Sequence, residues 1–182
     1  MDKIKNKIIK NFISEDEKNL LKDYVCLKHK INESSFDMFA DITNGAETYF
    51  YSDPIFETIM LRKKNLMEKE LNKKLLPTYT YWRMYTYGAK LKKHKDRPEC
   101  EISISLNIGA DKKWPIYINN KPFICNEGDA VLYFGCAQEH YREKYLGDWC
   151  AQAFIHYVDA EGPNKNLHMD QRQYFGLPWS KN

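Results

Sequence analysis

Two histidines and one aspartate are the residues of this sequence best suited to hold a metal ion. His94 and Asp96 are two positions apart, and on an extended segment such side chains project to the same side. His140 comes later in the chain, after an apolar segment. Two imidazoles and one carboxylate can bind Fe(II) and leave adjacent coordination positions open. The sequence therefore predicts a metal site formed by these three residues.

The His-x-Asp spacing is weak on its own, because short motifs also occur by chance. A second match, His168 with Asp170, lies in a part of the chain without hydrophobic periodicity, and no histidine follows it. We interpret this second match as coincidental. The alternative for the first match is a solvated surface turn, since residues 93–97 form a run of mostly charged side chains.

Alternating side chains predict that strands position these residues. One face of the first predicted strand carries Tyr79, Tyr81, Arg83, Tyr85 and Tyr87. Further strands are predicted at residues 101–108, 114–118, 121–125, 130–134 and 149–158. Short strands at such close spacing, after a helical region, indicate an antiparallel sandwich or barrel backed by helices.

Two helices are predicted before the strands. Ser14 and Glu17 form a capping box, and the apolar stripe after them indicates a helix that ends near Cys26. An Asp-Pro pair at positions 53–54 marks a second helix start. Helical spacing of apolar residues then continues toward Pro77, where proline is expected to end the helix.

Composition limits the class of protein. A chain of 182 residues with 43% hydrophobic and 29% charged residues is typical of a globular protein with one core. With no repeat or linker, we expect a single domain over residues 1–182. Its parts are a helical region to about residue 77, a β core over about 78–160 and a C-terminal tail over 161–182.

Charge and cysteine usage indicate a cytoplasmic protein. A net charge of +3 gives no electrostatic basis for nucleic-acid binding, and no apolar run reaches the roughly 18 residues of a membrane helix. Five cysteines without a C-x-x-C pair argue against zinc and disulfides and favour reduced thiols. The first seven residues are not followed by the apolar segment of a signal peptide.

The predicted metal site resembles the iron-binding region of the prolyl-4-hydroxylase-like branch of the Fe(II)/2-oxoglutarate oxygenases. Tyr85 precedes His94 by nine residues, Gly88 lies between them, and the His-x-Asp pattern follows. Residues 126–134 are similar to the family's glycine turn and the strand before its distal histidine. Residues 140–157 are similar to its closing segment, so the resemblance covers about residues 78–160.

This resemblance implies a mainly β fold with N-terminal helices, in which a double-stranded β-helix (a cupin-like jelly roll) holds the metal at its mouth. It implies His94, Asp96 and His140 as ligands of Fe(II), with 2-oxoglutarate as cosubstrate and O2 as oxidant. Such enzymes decarboxylate 2-oxoglutarate to succinate while they oxidise a substrate. Relatives that halogenate have a small residue at the position of Asp96, so the intact carboxylate implies a hydroxylase.

The family's basic partner for 2-oxoglutarate is missing from its usual place. The far carboxylate of 2-oxoglutarate needs a charged donor, which the family usually carries nine to eleven residues after the distal histidine. Residues 149–151 are Trp-Cys-Ala here. Arg83, on the strand face of Tyr85, is the first candidate, and Arg142 is the second. Tyr85 matches the family tyrosine that hydrogen-bonds the cosubstrate; the alternatives are an outward ion pair for Arg83 and a core position for Tyr85.

The substrate and partners are less defined by the sequence. A compact chain favours a free small molecule, such as an amino acid, as the substrate. Hydroxylation of a protein or a nucleic acid, a cupin-like metal protein without oxygenase activity, and a non-catalytic interaction module are the alternatives. Arg97 is interpreted either as a substrate contact or as part of a solvated loop, and His156 as a core histidine. The oligomeric state is not indicated.

Overall fold

The computed structural model describes residues 5–34 and 46–177. Every strand pairing in this part of the chain is antiparallel. The elements in chain order are β1 (Lys7–Ile9), α1 (Glu15–Ser34), β2 (Ala46–Tyr51), α2 (Pro54–Leu71), β3 (Leu75–Thr86), β4 (Leu91–His94), β5 (Ile102–Ala110), β6 (Ile116–Ile118), β7 (Lys121–Phe123), β8 (Ala130–Tyr133), β9 (His140–Arg142) and β10 (Trp149–Asp159).

The strands form two sheets that enclose an interior. One sheet has six strands in the order β1-β8-β5-β10-β3-β2, and the other has four in the order β4-β9-β6-β7. Val131 and Tyr133 of the larger sheet pack against Ile116 and Ile118 of the smaller one. This arrangement is the jelly roll that the sequence predicts, with the smaller sheet covering one face of the larger.

The helices cover the opposite face of the six-stranded sheet. α2 packs against β3 and β10, and its Phe56 and Met60 belong to the main hydrophobic core. β5 illustrates the division between the two faces: Ile104 lies in that core, whereas the neighbouring Ser103 and Ser105 are buried polar residues on the other side of the strand. The interior between the sheets therefore has a polar wall.

The predicted start of α1 is confirmed and its predicted end is wrong. The Ser14 hydroxyl accepts a hydrogen bond from the Glu17 backbone N–H at 3.1 Å, and the Glu17 carboxylate accepts one from the Ser14 N–H at 2.9 Å. The helix does not end near Cys26 but continues to Ser34. No glycine or proline follows Cys26 in this stretch, so helix propensity extends the helix beyond its buried stripe.

The second helix also begins as predicted and ends earlier. Asp53 caps α2 by accepting from the Ile55 N–H at 3.3 Å. The helix ends at Leu71 because Asn72 adopts a left-handed conformation, with φ of 50°, which asparagine tolerates at a helix end. Pro77 therefore does not end a helix; it lies inside β3, beside an irregularity in the β3–β10 ladder.

The six predicted strands are present as β3, β5, β6, β7, β8 and β10, with bounds that differ by a few residues. Two strands, β1 and β2, lie within the region that the sequence assigned to helices. The tail contains a 3-10 segment over Lys165–Gln171. The first four residues and the last five lie outside the described part. The five cysteines are free, and no helix among the described residues is long and apolar enough to cross a membrane.

Candidate active site

The three predicted metal ligands lie close together at the β4 edge of the smaller sheet. β4 and β9 are neighbours, and His94 lies directly opposite His140 in their ladder. Asp96 follows β4 and lies between the two imidazoles, with Oδ1 3.3 Å from His94 Nε2 and Oδ2 3.4 Å from His140 Nε2. One ligand atom from each residue lies within 4.8 Å of the other two. Strand pairing thus brings together residues that are far apart in the sequence.

The backbone orients both imidazoles. His94 Nδ1 lies 2.7 Å from the carbonyl oxygen of Lys92, and His140 Nδ1 lies 3.0 Å from that of Gln138. A carbonyl can only accept, so each Nδ1 carries its proton and donates it. Nε2 of each ring points toward the carboxylate. With a proton on Nε2 it donates to Asp96, and without that proton its lone pair is available to a metal ion. The hydrogen bonds of Nδ1 to carbonyl oxygens are the usual support of metal-binding histidines.

The electrostatics of the site keep the carboxylate ionised. Burial alone would raise the pKa of Asp96, but hydrogen bonds with His140 and His94 outweigh it and hold that pKa well below its ordinary value. The hydrogen bond with Asp96 in turn raises the pKa of His94. Two aligned imidazole nitrogens and one ionised carboxylate are a donor set that fits a divalent iron ion.

Gly135 supports the position of Asp96, and the sequence analysis did not identify it. Its carbonyl oxygen accepts from the Asp96 N–H at 2.9 Å. A Cβ at this glycine would lie 2.4 Å from Asp96 Oδ2 and 2.6 Å from the Ser103 hydroxyl oxygen. The glycine therefore leaves the space that the carboxylate occupies. Only its place after the predicted strand at residues 130–134 could have drawn attention to it.

A cavity of about 400 Å³ opens onto the triad and extends along β3. Arg83 and Tyr85, both predicted to bind the cosubstrate, line it. The Arg83 guanidinium carbon lies 5.3 Å from the centre of the Tyr85 ring, and Tyr85 is 3% exposed. Burial raises the pKa of the Tyr85 hydroxyl, although Arg83 and Arg142 act in the opposite direction. This end of the cavity therefore combines a half-buried guanidinium with a buried phenol.

Arg142, the second predicted carboxylate partner, lies behind this wall. Arg142 is not among the described residues that line the cavity; together with Gln152 it borders a second, smaller space. Its guanidinium donates to the Trp114 carbonyl oxygen, to Gln152 Oε1 at 3.0 Å and to the Ser105 hydroxyl oxygen at 3.3 Å. No carboxylate of the described residues pairs with Arg142.

Arg97 and His156, to which the sequence assigned no definite role in the site, also line the cavity. Arg97 is not a solvated loop residue: it forms a bidentate ion pair with Asp170, at 2.7 and 2.6 Å, and lies over the Tyr79 ring. His156 is buried, as the sequence predicts, but it borders the cavity and not the hydrophobic core. Burial lowers the pKa of His156 to about 4, so its ring is neutral at physiological pH.

Comparison with known proteins extends the description of the fold. No family model and no curated protein matches the sequence. Among solved structures, the chain is similar to a viral collagen prolyl hydroxylase from Paramecium Bursaria Chlorella virus-1 in complex with 2OG. The TM-score is 0.62 at 10% identity, over 84% of this chain and 94% of that chain.

Two further solved structures have the same fold. A Pseudomonas putida prolyl-4-hydroxylase gives a TM-score of 0.62 at 12% identity, over 85% of this chain and 92% of that chain. SnoK, described as a non-heme alpha ketoglutarate dependent carbocyclase from nogalamycin biosynthesis, gives 0.67 at 11% identity, over 97% and 90%. The chain therefore has the jelly-roll fold of the Fe(II)/2-oxoglutarate oxygenases, as its resemblance to their prolyl-4-hydroxylase-like branch implied.

Proposed function

We propose that this protein is an Fe(II)/2-oxoglutarate-dependent dioxygenase that hydroxylates a small molecule. The observation that carries the proposal is a cavity bordered by a His-Asp-His cluster, by the half-buried Arg83 and by the buried Tyr85. The fold shared with 2-oxoglutarate oxygenases supports it, as do the names of the neighbouring structures. The neighbours include prolyl hydroxylases, so a protein substrate is the second candidate.

In this proposal His94, Asp96 and His140 hold Fe(II), and Tyr85 and Arg83 hold 2-oxoglutarate. Iron with 2-oxoglutarate and O2 supplies the oxidation of a C–H bond, with succinate and CO2 as the other products. The contribution of the chain is to orient both imidazoles through Lys92 and Gln138 and to keep the Asp96 carboxylate ionised. Tyrosine side chains form much of the cavity wall.

A spectrum of the anaerobic protein tests the proposal. Fe(II) is added to the full chain, followed by 2-oxoglutarate, and the visible absorption is recorded. A weak metal-to-ligand charge-transfer band that grows with 2-oxoglutarate is expected, because the keto acid chelates the iron. Bound iron without this band would favour a cupin-like metal protein, and absence of iron binding would favour an interaction module. Release of succinate with a stimulating small molecule then identifies the substrate.

Replacement of Arg83 by methionine is expected to raise the Kd for 2-oxoglutarate about 10- to 100-fold, since a hydrogen-bonded charge pair with a carboxylate is lost. Arg83→Lys keeps the charge and should lose less. Titration of the charge-transfer band measures both. The comparison variant is Arg142→Met, which removes an arginine bonded to Ser105 and Gln152. A larger loss in Arg142→Met than in Arg83→Met would transfer the assignment to Arg142.

The substitution Gly135→Ala is expected to weaken Fe(II) binding at least about tenfold, because the new methyl group displaces the Asp96 carboxylate. Overpacking should also lower the free energy of unfolding by about 1–3 kcal/mol. Gly109→Ala is the matched control, since its Cβ would meet the Trp149 ring at 2.8 Å. That variant should lose stability and keep the affinity for iron. Equal iron affinity in both variants would contradict the role assigned to Gly135.

A further inference from the structure

His156 lies at a β-bulge that places it beside Tyr79 in the cavity wall. The register of the β3–β10 ladder shifts between Ile155 and Tyr157, so two residues of β3 lie opposite His156 alone. Bulges redirect side chains and are frequent next to active sites. The rings of Tyr79 and His156 are 4.6 Å apart, and both residues border the cavity that contains the triad.

Ser103 determines which nitrogen of the His156 ring carries the proton. The Ser103 hydroxyl donates to the carbonyl oxygen of Cys100 at 3.1 Å, and a hydroxyl has one hydrogen to donate. Its oxygen therefore accepts from His156 Nδ1, which lies 3.0 Å away. With the proton on Nδ1, the Nε2 atom of the neutral ring is a hydrogen-bond acceptor.

This acceptor has no partner within the described part of the chain. The hydrogen bond with Ser103 is made by Nδ1, and none involves Nε2. The His156 side chain is 4% exposed, and the open space beside it is the cavity. An acceptor that faces a cavity gains a hydrogen bond when a donor enters it. A ligand that enters the cavity with an N–H or O–H group would supply that donor.

The surrounding charges argue against an acidic ligand at this end. Arg97 is the cation nearest to Tyr79, but both of its terminal nitrogens are bonded to Asp170 and its Nε lies 3.4 Å from the Tyr79 hydroxyl oxygen. The carboxylate of Asp170 therefore balances the charge of this arginine. The stacked rings of Tyr51 and Tyr79, with centroids 5.2 Å apart, add an aromatic wall.

This end of the cavity is separate from the end with Arg83. Arg83 lies four positions after Tyr79 on β3, which corresponds to about 13 Å along a strand. The triad borders the same cavity, and the charge of Asp96 acts on His156. If 2-oxoglutarate occupies the Arg83 end, the space beside His156 is left for the substrate.

We propose that His156 selects substrates that donate a hydrogen bond: its Nε2 accepts from an N–H or O–H group of a small molecule whose apolar part packs against Tyr79 and Tyr51. This inference rests on the proposed function, because only an oxygenase would act on the ligand as a substrate. Binding of the ligand beside His156 does not require the metal, so ligand binding and oxygenase activity can be tested independently.

The protonated nitrogen of His156 is measured first. Nitrogen-15 NMR of the full chain with labelled histidine, without metal and at about pH 8, reports the tautomer of a neutral ring. The histidine signal that is absent from the spectrum of the His156→Phe variant is assigned to His156. The Nδ1–H form is expected in the wild type, and Ser103→Ala should shift the balance toward Nε2–H because the acceptor for Nδ1–H is gone. An Nε2–H ring in the wild type would overturn the proposal.

The donor preference is measured with three probes that share an aromatic ring: benzyl alcohol, benzylamine and benzyl methyl ether. Backbone amide NMR of the metal-free chain gives each Kd. The alcohol or the amine should bind about three- to tenfold more tightly than the ether, as one hydrogen bond provides. The difference between alcohol and amine decides between a neutral and a cationic donor.

His156→Phe should abolish this preference, and His168→Phe, at a histidine that does not border the cavity, should keep it. Equal binding of all three probes to the wild type, or an unchanged preference in His156→Phe, would overturn the proposal. A variant that unfolds is recognised in the same spectra, and Ser103→Ala then provides the test. Iron takes no part in either measurement, so a failed metal site and a failed His156 site give different results.

Discussion

Replacement of Asp96 by alanine is expected to lower the affinity for Fe(II) by more than about 100-fold. Loss of a hydrogen-bond partner of a metal ligand costs about 10- to 100-fold in affinity, and here a ligand itself is removed. The carboxylate lies between both imidazoles, so no other oxygen of the triad can replace it. Anaerobic iron titration measures the loss, and the charge-transfer band with 2-oxoglutarate should disappear at the same iron concentration.

The control for Asp96→Ala comes from the second His-x-Asp sequence of the chain. His168→Ala alters a histidine outside the cavity and should leave iron binding unchanged. Asp96→Asn provides a finer comparison, because it keeps the shape of the side chain and removes its charge. Iron content equal to wild type in Asp96→Ala would contradict a His-Asp-His centre and favour an interaction module.

The sequence predicted the long strands β3, β5 and β10, of 9 to 12 residues, and the faces that it assigned to β3 and β10 agree with the structure. It also predicted the shorter β6, β7 and β8, which are flanked by turn residues. β4 and β9, which place His94 opposite His140, have 4 and 3 residues. A period of two cannot be recognised over so few positions, so the pairing that places these two histidines opposite each other had no signal in the pattern.

The depth of a residue in the barrel could not be predicted from its strand face. Arg83 and Arg142 were both candidates for the carboxylate partner, with an outward ion pair as the alternative for Arg83, and each borders an interior space. Which of them reaches the cavity depends on the stagger between β3 and β9, and these strands belong to different sheets. His156 was placed on the correct face, but the bulge that turns it toward Tyr79 has no signal in the sequence.

The ion pair between Glu57 and Arg172 could not be predicted from the sequence either, since it joins α2 to the tail, which has no hydrophobic periodicity. Both side chains are 2% exposed, with Arg172 Nη2 2.6 Å from Glu57 Oε1. Arg172 also donates to the carbonyl oxygens of Thr78 and Leu177 at 3.0 and 2.8 Å. The same tail carries Asp170, which holds Arg97 in the cavity wall. This pair therefore connects the stability of the fold to the shape of the cavity.

The substitution Arg172→Met is expected to lower the free energy of unfolding by about 3–5 kcal/mol, because it leaves the Glu57 carboxylate buried without its countercharge. The double variant Glu57→Met/Arg172→Met should lose less than Arg172→Met alone, since a buried pair replaced by apolar side chains is often nearly neutral. Urea unfolding of Glu57→Met, Arg172→Met and the double variant gives the coupling free energy between the two side chains. Glu15→Gln, which breaks an exposed pair with Lys18, should change stability by less than about 1 kcal/mol.

Additive losses in the double variant would contradict a coupled buried pair and assign the stability to the separate hydrogen bonds of each residue. Coupled losses have a consequence for the cavity. Once Arg172 no longer anchors the tail, Asp170 is held by Arg97 and Tyr51 alone. Affinity for the benzyl probes should then fall in Arg172→Met and recover in the double variant in proportion to the recovered stability. If stability recovered in the double variant and probe affinity did not, the result would contradict a link between the stability of the tail and the shape of the cavity beside His156.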